Sequence, residues 1–181
     1  LHQEMPQGDE RGRMHGFQVW VNLPARDKMI APRYQEIPRA RIPAATTGDG
    51  LAQVHVLAGE ALGARAVIET RTPIGYLHWI LSAGASVDVP LPCDHAAYVY
   101  VFEGAVRVSG RDVRDGQLAT LGEGDAVHLE ASLRAQALLL SGVPLREPLV
   151  QYGPFVMNTE LEIEQALEDY RAGRLGEIVR P

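Results

Sequence analysis

Between residues 51 and 142 the chain repeats one pattern: short runs in which apolar and polar residues alternate, each stopped within a few positions by Gly, Pro or Asp. A period of two puts every second side chain on one face of an extended strand, so these runs predict half-buried β-strands. The strands read in this way are 53–57, 66–69, 76–81, 86–91, 97–102, 105–108, 117–121, 126–130 and 135–140. Such close punctuation favours a sandwich or barrel of antiparallel strands, an all-β fold. An earlier run, Phe17-Gln18-Val19-Trp20-Val21-Asn22-Leu23, alternates similarly and is closed by Pro24, which predicts one more strand. Gln7 to Arg13 is polar and glycine-bearing and reads as a surface loop. Ala25 to Ile42 mixes charge with Pro32 and Pro38 and reads as an irregular crossing segment.

Helical spacing enters only near the end. Ile163, Ala166, Leu167 and Tyr170 recur at three- and four-residue intervals behind Thr159 and Glu162, the two members of a capping box. Glutamates at the start, Arg171 near the end and Gly173 beyond it fit a helix over about 160–172. Its apolar face is expected to dock on the flank of the β-domain. The small, turn-rich stretch Ile42 to Gly50 is the best domain boundary. The expected organisation is therefore 1–41, then a linker over 42–50, then a domain over 51–181.

Composition narrows the partners. At 46% hydrophobic and 22% charged residues the chain is of ordinary packed character, so disorder is not the default. A net charge of -6, with its seventeen Lys and Arg scattered, gives no basic stripe for nucleic acid phosphates. Cys93 is the one cysteine, which excludes an intrachain disulfide and a cysteine-rich zinc site. The apolar stretches are broken well before membrane-spanning length, and no basic-then-apolar leader opens the sequence. A cytoplasmic protein without membrane or direct nucleic acid contact is expected.

Candidate chemistry sits at the front, in Leu1-His2-Gln3-Glu4-Met5-Pro6. In an extended strand, residues two apart share a face with about 6.6–7 Å between Cα atoms, so the His2 imidazole and the Glu4 carboxylate can converge on one cation. Taken alone, such a pair is more often a polar strand face. An open mononuclear iron centre commonly takes two imidazoles and a carboxylate, so further ligands are needed. His15 reads as a solvated loop histidine. His55 and His78 alternate with apolar neighbours and either face solvent or satisfy a polar partner. His95 and His128 flank turns of the strand-rich region, but no third ligand accompanies them, and a barrel without metal is favoured there. Cys93 beside Asp94 has no readable cation near it and reads as an ordinary thiol. Gly122-Glu123-Gly124-Asp125 lacks a third glycine and opens a strand, so it reads as a turn and not a dinucleotide site. Glu160, Glu162 and Glu164 read as a solvated helix face.

Several of these motifs together resemble the pirin family. The resemblance rests on His2 to Pro6, Gly16 to Pro24, Leu121-Gly122-Glu123-Gly124-Asp125, Gly142 to Pro148, and Gly153-Pro154-Phe155-Val156-Met157-Asn158-Thr159, in that order. It implies a bicupin, two jelly-roll barrels of the double-stranded β-helix kind, with one metal in the N-terminal barrel. The implied ligands are a His-x-His pair, a later His and a Glu two residues on. The last two fall on His2 and Glu4, while no His-x-His occurs in this sequence. The expectation is a bicupin fragment with a C-terminal helix. Residues 1–41 would hold the end of the first barrel, and 51–181 the whole of the second.

The resemblance also implies a cofactor and an activity. Fe(2+), one per full-length chain, is expected, with other divalent metals chemically admissible. The parent would be a quercetin 2,3-dioxygenase-like oxygenase acting on a small aromatic substrate such as a flavonol. In it Glu4 would serve as ligand and as base for the substrate hydroxyl. With two ligands missing, this chain itself is expected to be inactive. The alternative is a redox or iron-sensing regulator, either a transcriptional co-regulator or a modulator of a metabolic enzyme, which would act through a protein partner.

Overall fold

Alternation at period two becomes sheet structure in a computed structural model that describes Gly8 and residues 10–176. In chain order the strands are β1 (Ala44–Thr46), β2 (Ala52–Ala58), β3 (Glu60–Ala61), β4 (Ala64–Arg65), β5 (Ile74–Leu81), β6 (Ala85–Pro90) and β7 (Ala96–Glu103). They continue as β8 (Ala105–Val108), β9 (Arg111–Arg114), β10 (Leu118–Thr120), β11 (Ala126–Ala131), β12 (Ala135–Gly142), β13 (Val150–Tyr152) and β14 (Phe155–Met157), and helix α1 (Glu160–Arg171) follows. The described residues divide into two compact units, Ala31–Pro144 and a second drawn from Leu1–Ile30 and Leu145–Pro181.

Within Ala31–Pro144, a six-stranded sheet in the order β1-β2-β5-β12-β7-β10 accompanies a four-stranded sheet in the order β6-β11-β8-β9, all pairs antiparallel. The alternation decides which side faces in. Val54 and Val56 on β2, Trp79 and Leu81 on β5, Val99 and Val101 on β7, and Val127 and Leu129 on β11 are buried, and they share one core cluster. The chain passes from β7 in one sheet to β8 in the other through Gly104, whose φ of +76° suits a residue without a Cβ. No polar or charged residue is buried among the described residues. This is the antiparallel sandwich that the strand spacing predicted, with the jelly-roll form that the family resemblance implied.

Several elements differ from the sequence reading. Residues 42–50, expected as a linker, contain β1, which pairs with β2 at Ala44↔His55, Ala45↔Val54 and Thr46↔Gln53. Its Ala-Ala-Thr lacks the bulky alternation that marks a strand, and it is held by its partner. The strand expected at 66–69 is absent, and the chain instead makes the two-residue pairs β3 and β4 just before it. Strand β9, Arg-Asp-Val-Arg, was missed because a single apolar residue, Val113, carries its burial. Residues 17–23 form no strand among the described residues, and Trp20 is 61% exposed. Alternation alone makes no strand where a ladder partner is lacking.

The second unit is organised around the helix. Thr159 Oγ1 accepts from the Glu162 amide at 3.2 Å, and the Thr159 amide donates to Glu162 Oε2 at 2.8 Å, which completes the predicted capping box. A cap of this kind contributes about 1 kcal/mol. Ile163 is buried, and Tyr170 meets the Phe155 ring edge-on at 6.4 Å, so the helix docks on the β13–β14 hairpin. Glu147 Oε2 accepts from the Ala25 amide at 2.7 Å and from Asn158 Nδ2 at 3.2 Å, tying front and tail together. Lys28 Nζ adds bonds to Asn22 Oδ1 at 2.6 Å and to the Val156 carbonyl at 2.9 Å. No helix among the described residues is long and apolar enough to cross a membrane.

Candidate functional site

His2 and Glu4, the ligand pair expected from the sequence, lie outside the described residues. His15 is exposed and packs against Phe17 with ring centroids 5.1 Å apart. The remaining candidates all fall in Ala31–Pro144, where their placement follows from the strand pattern.

The interior between the sheets is filled by Val, Leu, Ala and Trp side chains, which offer no donor set for a cation. Among the described residues no group of three or more His, Cys, Asp or Glu is arranged to hold a metal ion. At one end, where the edges β9 and β10 come near the 121–124 turn, the sandwich opens into a cleft of about 830 Å³. Leu91, Val113 and Leu121 give it apolar walls, while His95, Arg111 and Glu123 bring charge or proton-transfer capacity to its rim. Its volume is in the range of small-molecule sites. His95 Nδ1 lies 3.2 Å from Ser141 Oγ on β12, and this contact orients the ring. Gly122 and Gly124 belong to the turn that the sequence predicted, and the turn borders this cleft. Cys93 is exposed.

His128 does not join His95. It stands on the outer face of the four-stranded sheet, between buried Val127 and Leu129 and directly opposite Asp88 in the register. Its Nδ1 lies 2.7 Å from Asp88 Oδ1, and its Nε2 lies 3.4 Å from Ser86 Oγ and 3.7 Å from Glu130 Oε1. The order Ser-His-Asp is that of a proton relay. However, the His128 and Asp88 side chains are 37% and 78% exposed, so water screens them, and the low-dielectric setting that makes such a relay effective is missing. The arrangement is a titrating surface pair. The hydrogen bond to Asp88 is the main cause of a raised His128 pKa; desolvation opposes it, and the charges of Asp88 and Glu130 add to the rise. The raised value means that the pair stabilises the fold below the unfolded-state pKa and that this contribution fades as pH rises through the folded-state pKa. In an NMR titration His128 is expected above the ordinary histidine value, and Asp88→Asn should lower it; an unmoved midpoint would show that Asp88 is not the cause.

His55 and His78 are brought together by the fold. They are direct partners across β2 and β5 on the outer face of the six-stranded sheet, and their rings stack at 5.6 Å and 29°. His78 Nε2 is 2.8 Å from Gln136 Oε1, and Gln136 Nε2 in turn donates to Glu103, which pairs with Arg134. Burial comes first among the causes that lower the His78 pKa, with repulsion from His55 and Arg39 adding to it and the Gln136 bond opposing it. Sequence reasoning missed this juxtaposition because it depends on strand register, which no local spacing encodes. Alternation did place both side chains on the sheet face.

Comparison with known proteins gives a consistent picture. Residues 76–176 match the family model described as the pirin C-terminal cupin domain. The chain is 44% identical to a pirin of Mus musculus over 97% of its own length and 61% of that protein's. It is 42% identical to a putative quercetin 2,3-dioxygenase of Pseudomonas aeruginosa over 97% of its length and 64% of that protein's. Among solved structures, a quercetin 2,3-dioxygenase from Acinetobacter baumannii superposes with a TM-score of 0.83 at 36% identity, covering 88% of this chain and 56% of the other. The chain thus spans about three-fifths of the length of these curated relatives, 61% and 64% in the two cases.

Proposed function

The chain belongs to the pirin family, and from that premise we propose that it is part of a metal-dependent cupin oxygenase of the quercetin 2,3-dioxygenase kind. The observation that carries this reading is the likeness to the solved quercetin 2,3-dioxygenase, which covers 88% of this chain at 36% identity. The metal is proposed to be Fe(2+), and the substrate a small aromatic compound with an ionisable hydroxyl, such as a flavonol. The setting proposed is cytoplasmic, without direct nucleic acid contact.

His2 and Glu4 are proposed as two of the ligands, contributed by the front of the chain as the last part of an N-terminal barrel, with the strand-rich region from β1 to β12 as the C-terminal barrel. An imidazole and a carboxylate suit a borderline or hard divalent ion, but they make up half of the family's donor set. The described residues add no group of three or more His, Cys, Asp or Glu that could complete the set. By itself the chain is proposed to be inactive, since affinity depends on a correctly counted, preformed shell. In the full-length parent, Glu4 is proposed both to ligate and to take the substrate's hydroxyl proton.

The test is to assay the full-length parent for metal content and for oxygen uptake with flavonols. About one metal per chain is expected, and His2→Ala or Glu4→Gln should remove it and lower uptake by at least the roughly 10–100-fold typical of damage to a metal's supporting shell. Retention of metal by both variants would overturn the ligand assignment. Bound metal with no flavonol-dependent uptake would instead favour the redox-sensing regulator.

A further inference from the structure

We propose that His55 and His78 form a second, two-imidazole site for a borderline divalent cation such as Zn(2+), Ni(2+) or Cu(2+), on the outer face of the six-stranded sheet. The site is independent of the His2/Glu4 reading.

The argument starts from protons. Glu103 is held by Arg134 as a carboxylate and can only accept, so the Gln136 atom that meets it is the amide nitrogen. Gln136 therefore presents its oxygen to His78, and that oxygen can only accept as well. The proton of neutral His78 is thus on Nε2, and the lone pair is on Nδ1. A metal-binding histidine is characteristically arranged in this way, with one ring nitrogen donating to a fixed acceptor so that the other is oriented and made more basic. Here the fixed acceptor is the end of an Arg134–Glu103–Gln136 chain laid across β7 and β12.

Distance supports the second ligand. With metal–nitrogen bonds of about 2.0–2.1 Å, a ring centre stands roughly 3.2 Å from the ion, so two rings on one tetrahedral ion are about 5 Å apart. The His55 and His78 centroids are 5.6 Å apart, close to that separation, but the rings lie near parallel at 29°, so one ring has to turn about its side-chain bonds before both in-plane lone pairs meet at one ion. Phe102 lies against His78 at 5.4 Å and limits how far that ring can turn, so His55 makes most of the adjustment. The two remaining positions of a tetrahedral ion fall to water or to an added ligand. Arg39, the cation near enough to perturb His78, opposes binding and keeps the affinity modest. Imidazole pairs select borderline ions over Mg(2+) and Ca(2+), which take oxygen shells.

The experiment titrates the intact chain, carrying His2→Ala and Glu4→Ala to remove the front pair, with Ni(2+) and Cu(2+) by calorimetry. One equivalent is expected to bind, and His55→Ala or His78→Ala should each weaken it tenfold or more. Gln136→Met, which leaves both imidazoles but frees the tautomer, should weaken it several-fold. A paramagnetic Ni(2+) titration followed by NMR provides a readout without substitution, in which the His55 and His78 ring protons should shift first. Equal binding by the His55→Ala chain, or first effects at His15, His95 or His128, would overturn the proposal. Mg(2+) should compete poorly; competition at equal concentration would also overturn it.

Discussion

Trp79→Ala is expected to lower stability by about 3–5 kcal/mol, the usual cost of emptying a large aromatic site in a packed core. Trp79 is fully buried, and the register places it between Val54 on β2 and Ala137 on β12. The small Ala137 leaves room for the indole, so no neighbour is poised to collapse into the space. Trp79→Phe should behave quite differently. The indole Nε1 is buried without a hydrogen-bond partner, and an orphaned buried donor carries a penalty of about 1–3 kcal/mol. Phenylalanine gives up volume but removes that penalty, so its net cost should stay under about 1.5 kcal/mol. Urea denaturation with an unchanged slope reads both effects as midpoint shifts. An alanine variant within 1 kcal/mol of the parent, by about that same measure, would mean that the sheets close over the gap.

Gly104→Ala is the second large effect. Its φ of +76° already disfavours any L side chain, by about 1–3 kcal/mol. A Cβ there would also stand 2.6 Å from the Arg134 carbonyl oxygen and 3.2 Å from the Ala135 Cα. Both obstacles are backbone atoms, at the first residue of β12 and the residue before it, so they cannot swing aside as a side chain could. Crowding of this kind adds about 1–3 kcal/mol, for a total of roughly 2–6 kcal/mol. Gly84→Ala supplies the comparison. Its φ of +82° is similar, but nothing lies within 4 Å of an added Cβ, so only the backbone cost should appear. Equal losses at the two positions would show that the crowding at Gly104 relaxes away.

The fold was legible where one strand face is buried and the other wet. The β2, β6 and β11 alternations were read almost to their ends, as were the Thr159 and Glu162 cap and the helix behind it. Where burial rests on one residue, as at Val113 in β9, or on small residues, as in β1, the pattern thins out and the ladder decides. The front motif and the tail motif pointed to the family because several short strings occur in one order, a signal that no single strand carries. Side-chain pairings were less legible. His128 with Asp88 and His55 with His78 meet through antiparallel registers 40 and 23 residues apart, which local spacing cannot reveal. His2 and Glu4 stand as they did, an inference from motif content.

The place of β12 in its sheet sets a condition on how the protein can be made. It lies between β5 and β7, yet Ala135 is the first of its residues to leave the ribosome and follows Leu81 by more than fifty positions. At about 5–20 residues per second, several seconds pass in which β5 and β7 wait in the nascent chain with their inner edges unpaired. Vectorial synthesis therefore delivers the keystone late, and a cell that makes this protein in quantity has to shield two sticky half-sheets until it arrives.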